Sequence, residues 1–196
     1  MSEALPWEFF DRPVLRVAPD LLGRLLVRRY RGRRLAGRIV EVEAYGGLQD
    51  AASHARCGPT PRNRVMFGPP GRSYVYQIYG LHCCLNLVCE PQGQAAAVLI
   101  RALEPVEGED VMAALRPGRS RREWTSGPGR LCRALALDRR HDGLELPSPG
   151  LWLETGEPLP RKRQARSPRI GVAYAGEAAR WLHRFYERGN PFVSRP

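Results

Sequence analysis

Apolar and polar positions alternate over short spans, and glycine and proline interrupt those spans throughout the chain. A period of two marks half-buried strands, and frequent breakers keep each element short. Residues 24–45 read as two strands joined by the basic turn Arg31-Gly32-Arg33. Leu25-Leu26-Val27 leads the first strand to Tyr30, and the second returns from Leu35 to Tyr45. Residues 73–79 and 82–90 are β-rich and meet at Gly80-Leu81, a hairpin signal. Segments 95–103, 151–153, 170–174 and 184–186 read as further strands. Helices are expected over 109–115, ending near Pro117, and over 129–137, after Pro128. Residues 116–122 and 161–169 read as basic loops, and 1–20 as a lead-in. Residues 46–72 have no period and contain Gly46-Gly47, Gly58-Pro59 and Gly68-Pro69-Pro70-Gly71. A loop that long inside a compact domain is functional or disordered. The pattern as a whole is α/β of the α+β type: a single domain over 1–196 with a mainly antiparallel sheet and flanking helices.

The same alternation sorts side chains by face. In 38–45, Val40, Val42 and Ala44 share one face and read as core, while Ile39, Glu41, Glu43 and Tyr45 share the other. That second face is either a solvated sheet surface or, with a carboxylate at a strand end beside a long loop, the seat of a general base. Tyr74, Tyr76 and Ile78 share one face of the hairpin, and Val75, Gln77 and Tyr79 the other. Tyr79 lies beside the turn, where a bulky ring is poorly placed to enter its own core. It suits a wedge that enters a base stack, or it packs on a neighbouring loop. Tyr76 either stacks on a base or joins the core. Asn86 sits within an apolar strand and needs partners for its amide, as a fold-specifying hydrogen bonder or a ligand reader. Arg101 interrupts Val98-Leu99-Ile100-Arg101-Ala102-Leu103 and calls for a carboxylate or another polar group to orient. In the long loop, His54 donates to a ligand or caps the loop. Arg56, Arg62 and Arg64 fit phosphate contacts, and Arg62-Asn63 fits equally a tie on the loop backbone.

Composition narrows the class. The chain has 196 residues, 43% hydrophobic and 26% charged, enough for one good core. Its longest uncharged apolar run, 95–100, is far too short to span a bilayer. Met1-Ser2-Glu3-Ala4 has neither a basic leader nor an apolar signal core, so a soluble intracellular protein is expected. The formal net charge of +11 favours a polyanionic partner, nucleic acid first. Nearly all the basic residues are arginine. Lys162, in the exposed-looking run Pro160-Arg161-Lys162-Arg163-Gln164, is the only lysine, which argues against a lysine Schiff base. Cys57, Cys83, Cys84, Cys89 and Cys132 lack metal-ligand spacing and read as free thiols.

Several stretches, taken in order, resemble the alkyladenine (3-methyladenine) DNA glycosylase family. They are Gly37-Arg38-Ile39-Val40-Glu41-Val42-Glu43-Ala44-Tyr45, Thr60-Pro61-Arg62-Asn63, Tyr74-Val75-Tyr76-Gln77-Ile78-Tyr79-Gly80 and Cys84-Leu85-Asn86. They continue with Leu99-Ile100-Arg101-Ala102-Leu103-Glu104-Pro105, Ser126-Gly127-Pro128-Gly129-Arg130-Leu131-Cys132 and Arg169-Ile170-Gly171-Val172. The resemblance spans about residues 21–194. It implies a compact α/β domain whose protruding hairpin enters the minor groove of double-stranded DNA. It implies no metal or organic cofactor. A monomer, cytoplasmic or nucleoid-associated, is expected. Its implied reaction is base excision repair. An alkylated or deaminated purine (3-methyladenine, 7-methylguanine, hypoxanthine or ethenoadenine) is flipped out and its N-glycosidic bond hydrolysed, leaving an abasic site and no strand cut. By position, the resemblance makes Glu43 the water-activating base and Arg101 the residue that helps hold the water. Tyr45, His54 and Tyr76 become walls of the base pocket, Tyr79 the intercalating residue and Asn86 the group that clashes with the amine of guanine. The sequence departs from many relatives at Leu81, where they have methionine, and no counterpart of the N-terminal extension of longer animal members is expected.

Overall fold

A computed structural model describes residues 3–195. Met1 and Ser2, part of the N-terminal stretch read above, lie outside the described residues. One sheet organises the chain. Strand β1 (Leu25–Tyr30) turns through Arg31 and Gly32, both at positive φ, into β2 (Arg33–Tyr45). Such turns match the right-handed twist of a hairpin. Strands β3 (Ser73–Ile78), β4 (His82–Cys89), β5 (Ala96–Glu107) and β6 (Leu151–Glu154) complete the order β3-β4-β5-β2-β1-β6. β7 (Gln164–Ser167) pairs with β8 (Arg184–Glu187), and β8 pairs with β2. Every strand pair is antiparallel.

The helices are α1 (Val14–Leu21), α2 (Glu109–Leu115), α3 (Arg121–Thr125) and α4 (Pro128–Ala134). Val14, Val17 and Leu21 of α1, Met112 of α2 and Leu131 and Cys132 of α4 join Leu26, Ile39, Val42, Leu85, Val98 and Ile100 of the sheet in one buried cluster. Each such large side chain contributes about 1.5–3 kcal/mol by leaving water. The lead-in is thus part of the core, since Phe10, Val14 and Val17 are fully or almost fully buried. Among the described residues no helix is long and apolar enough to cross a membrane.

Four expectations change. The strict alternation in 38–45 fails at a bulge: Ile39 faces Leu103, Glu41 faces Ala102 and Val42 faces Ile100. Ile39 therefore joins the main core, while Val40 packs with Ala102 and Phe192. An extra residue in one strand shifts the phase of every side chain beyond it. Residues 170–174 are not a strand; Gly171 takes φ 78° and a short 3-10 helix, Ala173–Arg180, follows. The basic loop 161–169 contains β7, because its backbone meets the free edge of β8. The basic loop 116–122 ends inside α3, which Ser120 and Glu123 open with a capping box.

The long segment 46–72 is ordered. Asn63 accepts from the Thr60 N–H at 2.6 Å and donates to the carbonyls of His54 and Gly58 at 2.8 and 3.0 Å. Asn63, rather than Arg62, is the tie on the loop backbone.

Candidate active site

β2 ends where the long loop begins, and its last side chains define the site. Glu43 is fully buried, and its carboxylate accepts three hydrogen bonds. Oε2 accepts from the Tyr45 hydroxyl at 2.8 Å and from Arg101 Nη1 at 3.1 Å. Oε1 accepts from the main-chain N–H of Ile170 at 2.7 Å. Donors of this kind stabilise the charged form and offset the cost of burying it. Tyr45 is held as a phenol, its pKa raised well above the ordinary value by burial and by the Glu43 charge.

Arg101, on β5, divides its guanidinium. Its Nε donates to Glu41 Oε1 at 2.9 Å and its Nη1 to Glu43. Glu41 also accepts from Arg184 Nε at 2.8 Å and from the Ser194 N–H at 2.6 Å. Arg101 is raised in pKa: burial opposes its charge, but Glu43 and Glu41 together overcome burial. The face read as either solvated or catalytic is thus neither bare nor solvated. The Arg184 side chain from the neighbouring strand β8 and Ser194 of the C-terminal segment meet it, and buried charges are paired there, as burial demands.

In front of this network lies a cavity of about 580 Å³, a size suited to a small-molecule group. Tyr45, His54, Tyr76, Asn86, Arg101 and Ile170 are on its wall. The carboxylate of Glu43 lies one layer behind, reached past Tyr45 and Arg101. Tyr76 packs edge-on against His54 with centroids 4.4 Å apart, and His54 Nδ1 lies 3.0 Å from the Tyr74 hydroxyl. Partial desolvation of the ring, then Arg62 and Arg56, lowers the pKa of His54, which favours the neutral ring at neutral pH. Asn86 is buried, and its Nδ2 donates to the Tyr74 carbonyl at 3.1 Å, which fixes the amide at the wall.

Tyr79 stands apart from every packed ring. It is 91% exposed at the tip of the β3–β4 hairpin, with Leu81 79% exposed beside it. Tyr79 and Gly80 both have positive φ, and the Leu81 N–H closes the turn on the Ile78 carbonyl at 3.1 Å. Two large apolar side chains left in water at a hairpin tip mark an interaction site. Arg62 lines the cavity, donates to the Gln77 carbonyl at 3.0 Å and lies 5.5 Å from the Tyr76 ring centroid. Arg56 is exposed, with its guanidinium 5.1 Å from the Tyr174 centroid. Arg64 is exposed on a 3-10 turn and does not reach the cavity wall. The sequence pattern assigns no role to Glu41 or Ile170, although Glu41 shares a face with Glu43 and Ile170 lies in the family-like stretch Arg169-Ile170-Gly171-Val172.

The methylpurine-DNA glycosylase (MPG) family profile matches residues 8–191. The chain belongs to the methylpurine-DNA glycosylase family. Three similar proteins carry the name "Putative 3-methyladenine DNA glycosylase". The one from Methanocella arvoryzae is 53% identical over 97% of this chain and 96% of its own length. Those from Myxococcus xanthus and Carboxydothermus hydrogenoformans are 51% and 47% identical, each over 97% of this chain and over 93% and 98% of their own lengths. The methylpurine-DNA glycosylase family comprises DNA-repair hydrolases that act on N-glycosyl bonds, with DNA as their partner.

Proposed function

We propose that this protein is a monofunctional glycosylase of base excision repair. It flips an alkylated or deaminated purine out of duplex DNA into the tyrosine-lined cavity and hydrolyses the bond to deoxyribose with water activated by Glu43. The observation that carries this reading is the Glu43 carboxylate, held by Tyr45, Arg101 and Ile170 directly behind the cavity wall.

The chemistry needs one base and one site for a cation. The C1′–N bond breaks through an oxocarbenium-like sugar, and the water oxygen bonds to C1′ on the face opposite the departing base. The proton of that water passes to Glu43, whose negative charge also stabilises the sugar cation. Water reaches Oε2 by taking the place of the Tyr45 hydroxyl, so one rearranged hydrogen bond opens the path. An alkylated base such as 3-methyladenine is already cationic and departs as a neutral purine without an added proton. Neutral lesions such as hypoxanthine and ethenoadenine need a donor to the leaving base.

Recognition follows from the wall. Tyr45, Tyr76 and a neutral His54 offer stacking surfaces, and a cationic base over an aromatic face gains about 1–3 kcal/mol in all. The fixed amide of Asn86 opposes the 2-amino group of guanine, a cost that neutral guanine has no cation–π attraction to offset whereas cationic 7-methylguanine has. Tyr79 enters the stack from the minor groove and fills the gap left by the flipped nucleotide. Arg56, Arg62 and Arg64 hold the phosphates around it. Lys162 is exposed and absent from the cavity wall, which leaves a strand-cleaving Schiff base without a lysine.

The test is incubation with duplexes that each carry one lesion, scored for free base and for strand breaks before and after alkali. The reading requires release of alkylated purine, with breaks only after alkali. Duplexes that release no base, or break without alkali, would overturn it.

A further inference from the structure

One buried ion pair beside the site takes no part in the steps above. Arg169 Nη2 donates to Asp50 Oδ1 at 2.8 Å, and its Nη1 donates to Asp50 Oδ2. Neither side chain is more than 2% exposed. The same guanidinium donates to the Ala44 carbonyl at 2.9 Å and the Ala178 carbonyl at 3.1 Å, and lies 4.8 Å from the Tyr45 ring centroid. Asp50 in turn accepts from the N–H groups of Gly46 and Ala52, both at 3.0 Å. Four stretches of chain thus converge on one pair: the end of β2, the 46–52 loop, Arg169 itself and the 3-10 helix containing Ala178.

The geometry points to Asp50 and Arg169 as positioning residues for excision, holding residues 169–172 so that the Ile170 N–H stays on Glu43 Oε1. The inference rests on Glu43 being the base. Three observations support it. Arg169 immediately precedes Ile170, and Ala44 lies between Glu43 and Tyr45, so the guanidinium grips both chains beside the 2.7 Å contact. Gly171, at positive φ, gives the segment local latitude, and the buried part of the cluster around it consists of the small side chains Ala52, Val172, Ala175 and Ala178, with Tyr45 and Trp181 only partly buried against them. Finally, Arg169 Nε is buried without a hydrogen-bond partner. A fully desolvated pair with an unmet donor is a poor device for stability alone, since apolar residues of similar volume serve as well or better. Its fork geometry instead fixes direction.

The experiment compares Asp50→Asn, Arg169→Lys and the double variant Asp50→Leu/Arg169→Met with wild type. The double variant leaves no unpaired buried charge and so keeps the test open where a single variant fails to fold. Single-turnover excision and affinity for the lesion duplex are measured separately. The expected result is a rate loss of about 10²-fold, the cost of misplacing a reacting group by about 1 Å. Affinity stays within about threefold, because the stacking walls remain. Hydrogen exchange at the Ile170 amide accelerates in the same variants. Folded variants that excise at the wild-type rate, or that lose affinity and rate in parallel, overturn the assignment. Glu43→Gln is the control: if it excises normally, the base reading itself fails, whereas a dead Glu43→Gln beside fully active pair variants defeats the positioning role alone.

Discussion

The main-chain N–H of Ile170 donates to the Glu43 carboxylate at 2.7 Å across 127 positions of sequence. With it in place, one Glu43 oxygen is held by the main chain of Ile170 and the other is shared by Tyr45 and Arg101, all three residues of the cavity wall. A carboxylate held in this way has a fixed direction in which to take a proton.

Glu43→Gln keeps the shape of the side chain and removes the base. Binding to lesion DNA should survive while single-turnover excision falls by at least about 100-fold. Gel-shift affinity and base-release rates, taken on the same preparation, check this. Near-normal turnover would refute the base.

Tyr45→Phe removes the hydroxyl that occupies Glu43 Oε2 and leaves the stacking ring. If water takes that place during the reaction, excision stays within about tenfold of wild type, far from the loss at Glu43. A loss as large as that of Glu43→Gln would show that the hydroxyl itself is needed.

Tyr79→Ser acts on a side chain with almost no contacts of its own, so the melting temperature should not move. Affinity for lesion duplexes should fall about tenfold or more, in line with about 1–3 kcal/mol for a lost base–aromatic stack. Unchanged affinity would exclude the wedge.

Asn86→Ser removes an amide pinned to the Tyr74 carbonyl and opens space at the wall. Release of normal guanine from undamaged duplex should rise, measured as free base over long incubations. No rise would remove Asn86 from discrimination.

His54 gives a pH dependence of stability. Partial desolvation first, then Arg62 and Arg56, lowers its folded pKa below the unfolded value of about 6.5. The unfolded chain then binds the proton more readily, so the His54 contribution turns against folding as pH falls through about 6.5. Denaturant midpoints of wild type should drop more steeply between about pH 7 and pH 5 than those of His54→Asn. Parallel slopes would contradict this.

How much of this was legible beforehand depends on the range of each interaction. The strands between Leu25 and Glu107 were found because alternation and turn residues act over a few positions, although β5 runs four residues past the expected end at Leu103. Tyr79 was singled out for the same reason: a bulky ring beside Gly80 has no local core to enter. Glu43 was singled out by its place at a strand end, though its base role came from the family resemblance. The helix Val14–Leu21 was missed because its start offers Pro13 and no side-chain cap, and it contains Pro19. The strand expected at 170–174 failed because Gly171 turns the chain away from the sheet.

The residues able to do chemistry were written locally, in an acid two positions before a tyrosine and an aromatic pair on a hairpin face. Their partnerships were not. Whether Val40 or Ile39 faced the core was settled by a bulge that appears only when β2 pairs with β5. That Arg169 is buried on Asp50 rather than solvated in a basic loop was settled by packing from segments more than a hundred positions apart. Alternation and turn preference belong to neighbouring residues, whereas desolvation and the pairing of buried charges exist only once distant segments have excluded water from between them.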